Sequence, residues 1–141
     1  MDVHSKETRS YNMSKIKGRD TKPETLVRKF LFAKGLRYRK NDKRYPGTPD
    51  IVLPKYQTMI FINGCFWHGH DGCKYYVIPK TNTEFWMKKI NNNIQRDECQ
   101  YKILKDMGWK VIVIWECQLK ANNRASTLEE LLKTITSSIE I

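Results

Sequence analysis

The sequence predicts an α/β fold built as one domain, and three observations carry that expectation. Ile51-Val52-Leu53 and Met59 to Ile62 are apolar runs joined by Pro54-Lys55-Tyr56-Gln57, which is the pattern of a hairpin. Lys110 to Trp115, reading KVIVIW, is an almost continuous apolar run after a helical segment, as expected of an interior strand paired in parallel. Segments with apolar residues at helical spacing precede, separate and follow these strands. The expected product is a mixed central sheet flanked by helices. With 141 residues, 40% of them hydrophobic, the chain fills one core and leaves nothing for a second domain.

Residues 1–20 are polar, rich in Lys, Arg and Ser and without sustained periodicity, so they are expected to form a basic arm ahead of a domain over 21–141. Thr21 and Glu24 have capping-box spacing, and Val27, Phe30 and Leu31 continue at helical intervals up to Gly35. That spacing puts Glu24 on the inward face of the first turn, either as a capping carboxylate or as a member of a site. Leu36 to Arg39 is expected to be a short strand, followed by the turn residues NDKRYPGTPD. Asp50 then stands at the mouth of one strand and Asn63 at the end of its neighbour. A carboxylate beside strand-end carbonyls can hold a hard cation such as Mg2+, although Asp50 after Pro49 also reads as a turn aspartate.

Residues 74–82 read as a connection, with Thr83 as the N-cap of a long helix that runs towards Met107 and stops at Gly108. Ile90, Ile94, Tyr101 and Leu104 form its apolar stripe. Asp97 falls on the same stripe, where a charge must be paired or face a site. Trp86, in the first turn, is either a core aromatic or an exposed ring. A last helix is expected from near Thr127, with Glu130 as a second capping-box partner and Leu128, Leu131, Leu132 and Ile135 facing inward.

The most unusual stretch is Met59 to Cys73, MIFINGCFWHGHDGC, where a strand gives way to a loop of cysteines, histidines, glycines and two large rings. Cys65, His70 and Cys73 have the spacing C-x4-H-x2-C, and Cys117 arrives at the end of the KVIVIW strand. Three thiolates and an imidazole would close a tetrahedral Zn2+ shell with no open position, the arrangement of a structural zinc. Cys99, in mid-helix, is the weaker fourth ligand, and plain buried cysteines are the alternative. Phe66-Trp67 places two apolar rings in a segment otherwise expected to be solvated. His68 reads as an acid-base group, a spare ligand or a surface imidazole; beside Asp97 it would have a partner that fixes its tautomer.

The net charge of +11, from 26 Lys+Arg against 15 Asp+Glu, suits a polyanion, and nucleic acid leads over anionic lipid. No run is long and apolar enough for a membrane span, and no export signal is visible, so a cytoplasmic protein with thiols reduced or metal-bound is expected. The residues alone support a metal-assisted phosphodiesterase.

PGTPDIVL, MIFINGCFWHGHDGC, TEFWMKKINNNIQRD and GWKVIVIWEC, in this order, closely resemble the very-short-patch mismatch repair endonucleases of bacteria, the Vsr family. DVHSKETRSYNMSKIKGRDT in the arm fits as well, and the similarity runs to about Leu119. The resemblance implies a restriction-endonuclease-like core with a zinc-braced loop. It also implies Mg2+-dependent nicking 5′ of the thymine in T:G mismatches left by 5-methylcytosine deamination.

By the family pattern Asp50 and the backbone carbonyl of Ile62 hold Mg2+, His68 is the acid-base group supported by Asp97, and Glu24 lies at the edge of the site. Cys65, His70, Cys73 and Cys117 hold Zn2+. Phe66, Trp67 and Trp86 form a wedge that enters the base stack, Met13 assists from the minor groove, and Lys89 and Asn93 read the mismatched pair. The implied setting is a monomer in the bacterial nucleoid that works with mismatch-repair proteins and a repair polymerase. Asn63 stands where the family commonly has histidine, and Gly69 with Asp71-Gly72 replaces a histidine-rich run. The rival readings are a non-catalytic zinc-containing DNA-binding module and a restriction-like nuclease acting on paired DNA.

Overall fold

A computed structural model describes residues 21–137 of the chain. The expected arm over 1–20, with Met13, lies outside the described residues.

Helix α1 spans Lys22–Ala33 and opens as its sequence dictates. The Thr21 hydroxyl oxygen accepts the Glu24 N–H at 3.5 Å, and Pro23 falls in the first turn, where no N–H is needed. The helix closes with the Leu36 N–H reaching back to the Leu31 carbonyl at 3.0 Å and the Gly35 N–H to Phe32 at 3.0 Å. Gly35 makes this reversal possible by adopting φ +84°. Because Leu36 is consumed in this closure, strand β1 is shorter and later than expected, at Arg39–Lys40.

Strands β2 (Ile51–Leu53) and β3 (Thr58–Asn63) form the expected hairpin, in register Ile51 to Ile60 and Leu53 to Thr58. A 3-10 turn over Pro54–Tyr56 and Gln57 at φ +50° reverse the chain between them. Helix α2, Thr83–Asp106, is 24 residues long and ends at Gly108, whose φ of +96° lets Trp109 N–H return to the Leu104 carbonyl at 3.1 Å. Thr83 is its first helical residue, not its cap; the hydroxyl donates backwards to the Pro79 and Lys80 carbonyls at 2.9 and 3.1 Å. Helix α3, Arg124–Ser137, likewise starts ahead of Thr127, whose hydroxyl donates to the Gln118 carbonyl at 2.7 Å and pins the helix to the preceding turn.

Strand β4, Lys110–Trp115, runs parallel to β3 from Thr58 against Lys110 to Asn63 against Trp115. The sheet order is β1-β2-β3-β4, so among the described residues β4 is an edge strand and not the interior one its composition suggests. Its apolar run has another cause, since both faces of the sheet are covered. Ile60, Ile112 and Ile114 pack with Val27 and Leu31 of α1 and Leu131 and Ile135 of α3. Met59, Phe61, Val111 and Val113 pack on the other face with Leu104 and Tyr101 of α2. A strand with helices on both sides reads as continuously apolar whether or not its edge is paired. No helix among the described residues is long and apolar enough to cross a membrane.

Candidate active site and metal centre

The hairpin brings Asp50, just ahead of β2, to the same edge of the sheet as the ends of β3 and β4. A cavity of about 1,070 Å³ opens there, and Glu24, Asp50, Ile62, His68 and Asp97 all line it. Five residues expected to share a site thus come together from α1, the turn before β2, β3, the loop after β3, and α2.

Asp50 Oδ2 accepts the backbone N–H of Ile62 at 2.6 Å, a short charge-assisted bond across the open end of the hairpin. Burial pushes the Asp50 carboxyl up to about 7, against the lowering effect of that amide, and the nearby Glu24 carboxylate pushes it further. Glu24 is itself only 4% exposed, with Arg28 one turn along at 3.5 Å. A buried carboxylate beside a second, half-buried one whose charge is disfavoured is a donor set that a hard divalent cation relieves. The N–H and C=O of a strand residue lie on one edge, so the Ile62 carbonyl shares the Asp50 side of β3. The residues present therefore fit Mg2+.

His68 Nδ1 meets Asp97 Oδ2 at 2.5 Å. A carboxylate partner fixes the ring's orientation and favours the proton on Nδ1, leaving Nε2 as the unengaged ring nitrogen. Asp97, 8% exposed on α2, thereby finds the partner its place on an apolar stripe demands. Asn63, 4% exposed, donates to the Tyr101 hydroxyl at 2.8 Å; burial holds that phenol up at about 12, so it stays a neutral partner.

The loop after β3 folds into a compact turn. Phe66, Trp67 and Trp86 stand edge to face in a triangle with centroids 5.2 to 5.8 Å apart, and Phe85 joins Trp86 at 5.2 Å. Trp67 is 47% exposed and Phe85 59%, so the cluster presents rings to solvent next to the cavity. Gly69 lets the loop lie on α2: it adopts φ +63°, and a Cβ there would stand 2.5 Å from Ile94 Cδ1. On α2, Trp86, Lys89, Asn93 and Asp97 follow at intervals of three and four and share one face. Asn93 does not stand free; its Nδ2 donates to the Trp67 carbonyl at 2.9 Å.

Cys65, His70, Cys73 and Cys117 gather with one ligand atom each, all within 4.8 Å of one another. Ligands around a tetrahedral zinc stand about 3.5 to 4 Å apart, so the cluster fits Zn2+ with little adjustment. Burial pushes the Cys65 thiol up to about 12 and raises Cys117, whereas amide donation from Tyr75 lowers Cys73. A bound cation would favour the thiolate form of all three cysteines. Cys99 is exposed on α2 and is not part of this group. His70 also stacks on Trp115, with centroids 4.2 Å apart and planes 4° from parallel.

Sequence reasoning missed four residues at these sites. Trp115 read only as the end of a strand, and Glu116, Lys43 and Arg96, which line the main cavity, were assigned no role. For Arg96 the signal was its position, adjacent to Asp97 on a helix that carries site residues. For Lys43 it was the turn chemistry between Asp42 and Pro49.

The profile of the family described as DNA mismatch endonuclease Vsr matches residues 1–75. The chain is 54% identical over 134 residues to the type II nicking enzyme V.NmeAIP of Neisseria meningitidis serogroup A, covering 95% of this chain and 94% of that protein. It is 43% identical over 123 residues to the DNA mismatch endonuclease Vsr of Escherichia coli, covering 87% and 78%. It is also 43% identical over 118 residues to the type II nicking enzyme V.XorIIP of Xanthomonas oryzae, covering 84% and 86%. With half of its length matched by the family profile and with relatives this similar along most of their own length, the chain belongs to the Vsr family of DNA mismatch endonucleases.

Proposed function

We propose that this protein is a Mg2+-dependent endonuclease that nicks one DNA strand 5′ of the thymine in a T:G mismatch, the lesion left when 5-methylcytosine deaminates. The observation that carries this reading is the convergence of Asp50, Glu24 and the His68–Asp97 pair on one cavity directly beside the exposed aromatic cluster. A non-catalytic DNA-binding module has no use for a desolvated carboxylate pair next to an oriented imidazole.

In this reading Asp50 and the Ile62 carbonyl would hold Mg2+, which supplies charge neutralisation at the scissile phosphate and the leaving oxygen. His68, with Nδ1 engaged by Asp97, presents Nε2 to the reacting groups for proton transfer. Glu24 at the cavity edge orients water and shares the acidic pole with Asp50. Phe66, Trp67 and Trp86 enter the stack, where separating a base step costs a few kcal/mol and less at a mismatch. Lys89 and Asn93 read the opened pair from the same face of α2. Cys65, His70, Cys73 and Cys117 would hold a structural Zn2+ that keeps the rings from folding back onto the core. The arm over 1–20, Met13 included, would lie in the minor groove ahead of a single catalytic domain. The family resemblance extends the setting to a monomer in the bacterial nucleoid, acting with mismatch-repair proteins and a repair polymerase.

A panel of end-labelled duplexes, T:G in varied contexts against T:A and C:G, tests the proposal. Mg2+-dependent nicking confined to the T strand of T:G duplexes is expected. Equal rates on paired DNA would favour a restriction-like nuclease, and binding without cleavage a non-catalytic module.

A further inference from the structure

The main cavity has an unusual charge balance for a site that receives a phosphodiester. Glu24, Asp50, Asp97 and Glu116 line it with carboxylates, and among the described lining residues only Lys43 and Arg96 carry fixed positive charge. A bound divalent cation would offset part of the acidic floor but leaves the non-bridging phosphate oxygens needing donors.

Arg96 is placed to meet that need. It precedes Asp97 on α2, and its Nη2 stands 3.5 Å from Asp97 Oδ1, on the oxygen that His68 does not use. That contact is long and one-pronged, and the side chain is 54% exposed, so most of its donors remain available. Lys43 lies on the loop between β1 and β2, and this loop is built to be rigid. Asp42 accepts the Arg44 backbone N–H at 3.1 Å and both prongs of its guanidinium at 2.9 and 2.8 Å. Asn41 and Asp42 N–H groups bond the Asp50 and Pro49 carbonyls at 3.0 and 3.2 Å, which ties the loop to the residue at the cavity floor. Lys43, held between these anchors, ion-pairs with none of the described residues.

We propose that Arg96 and Lys43 form a phosphate clamp across the cavity mouth, Arg96 on the phosphate being cleaved and Lys43 on a neighbouring phosphate of the same strand. Arg96 is the catalytic member: a planar guanidinium beside the His68–Asp97 pair binds the charge that grows on the phosphate oxygens as the bond to the leaving oxygen breaks. Lys43 is a positioning charge that fixes the strand's path over the acidic floor. The inference rests on the proposed nuclease reading of the same cavity.

The test is single-turnover nicking of a T:G duplex at saturating protein, with duplex affinity measured across a salt series. Arg96→Ala is expected to lower the saturating rate by about 100-fold with a much smaller change in affinity, and Arg96→Lys to recover part of it. The same ratio should persist when both arms carry Asp97→Asn. Lys43→Ala is expected to weaken binding and to flatten the log–log salt slope by about one. An unchanged rate in Arg96→Ala would overturn the clamp, as would a loss that vanishes in the Asp97→Asn background, because Arg96 would then act only through Asp97. If the wild-type protein nicks no duplex, the nuclease reading fails, whereas the salt slope still reports whether Lys43 touches phosphate.

Discussion

The Asn93 side chain of α2 donates to the backbone carbonyl of Trp67 at 2.9 Å, so a residue proposed to read the mismatched pair also holds the loop proposed to open it. Its amide has a second N–H and a carbonyl oxygen left over for a base edge. Under the proposed function, reading and prying are tied to one side chain. Asn93→Ala should lower the T:G over T:A affinity ratio by about 10-fold or more. It should also make the ring cluster more accessible to acrylamide quenching in the free protein. A change in the ratio with unaltered quenching would separate the two roles.

Trp67 supplies the most exposed ring of the Phe66, Trp67 and Trp86 triangle. Base–aromatic stacking is worth about 1–3 kcal/mol per base, so Trp67→Ala should cost roughly 10- to 100-fold in T:G affinity. Paired duplexes, bound chiefly through phosphates, should lose far less. Equal losses on both duplexes would argue against insertion.

Asp50 lies half-buried beside Glu24 and carries a carboxyl raised to about 7, which is a local cost to the fold in the absence of a cation. Asp50→Asn removes a partly desolvated charge while keeping the shape. Nicking should be abolished with T:G binding retained, and chelator-treated protein should gain about 1 kcal/mol, a rise of about 3–5 °C in melting temperature. A melting temperature below wild type would refute the strain assigned to this pair.

Cys65 is 4% exposed at the heart of the metal-ligand cluster, and Cys99 is exposed on α2. Elemental analysis should find about one zinc per chain in wild type and in Cys99→Ser, and far less in Cys65→Ser. Losing the ion should cost about 3 kcal/mol or more, or about 10 °C in melting temperature. Full zinc content in Cys65→Ser would remove this cysteine from the ligand set.

The Asp42 carboxyl is held down at about 2 by the Arg44 guanidinium, against an ordinary value of 3.8. A depressed acid stabilises the fold above its unfolded value and loses that contribution as pH falls through the folded one. Asp42→Asn should thus be less stable than wild type at pH 7, with the gap closing between about pH 4 and pH 2. Urea midpoints over that range measure it directly.

Much of this arrangement was legible because its chemistry is local. The hairpin, the capped start of α1 and the glycine stops at Gly35 and Gly108 follow from turn and cap residues that need no tertiary knowledge. The metal-ligand loop announced itself by ligand spacing, and Asp97 by being charged on an apolar stripe. What escaped depends on partners distant in sequence. The edge position of β4 could not be told from its composition, since α2 on one face and α1 with α3 on the other impose the same apolar run as burial between strands. Thr127 looked like a cap because its hydroxyl partner, the Gln118 carbonyl, approaches only once the chain has turned. Trp115 gave no sign of its stack on His70 for the same reason.

Helix α2 carries Trp86 near its start and Asp97 midway along, with no break over its 24 residues. At about 1.5 Å per residue, the ring that would part the bases and the carboxylate that serves the cut are about 16 Å apart along one rod. Under the proposed function that rod would act as a ruler, fixing how far the reacting phosphate lies from the step the rings open. Lengthening it by one turn, about 5.4 Å, should shift the scissile position along the strand instead of merely slowing the reaction.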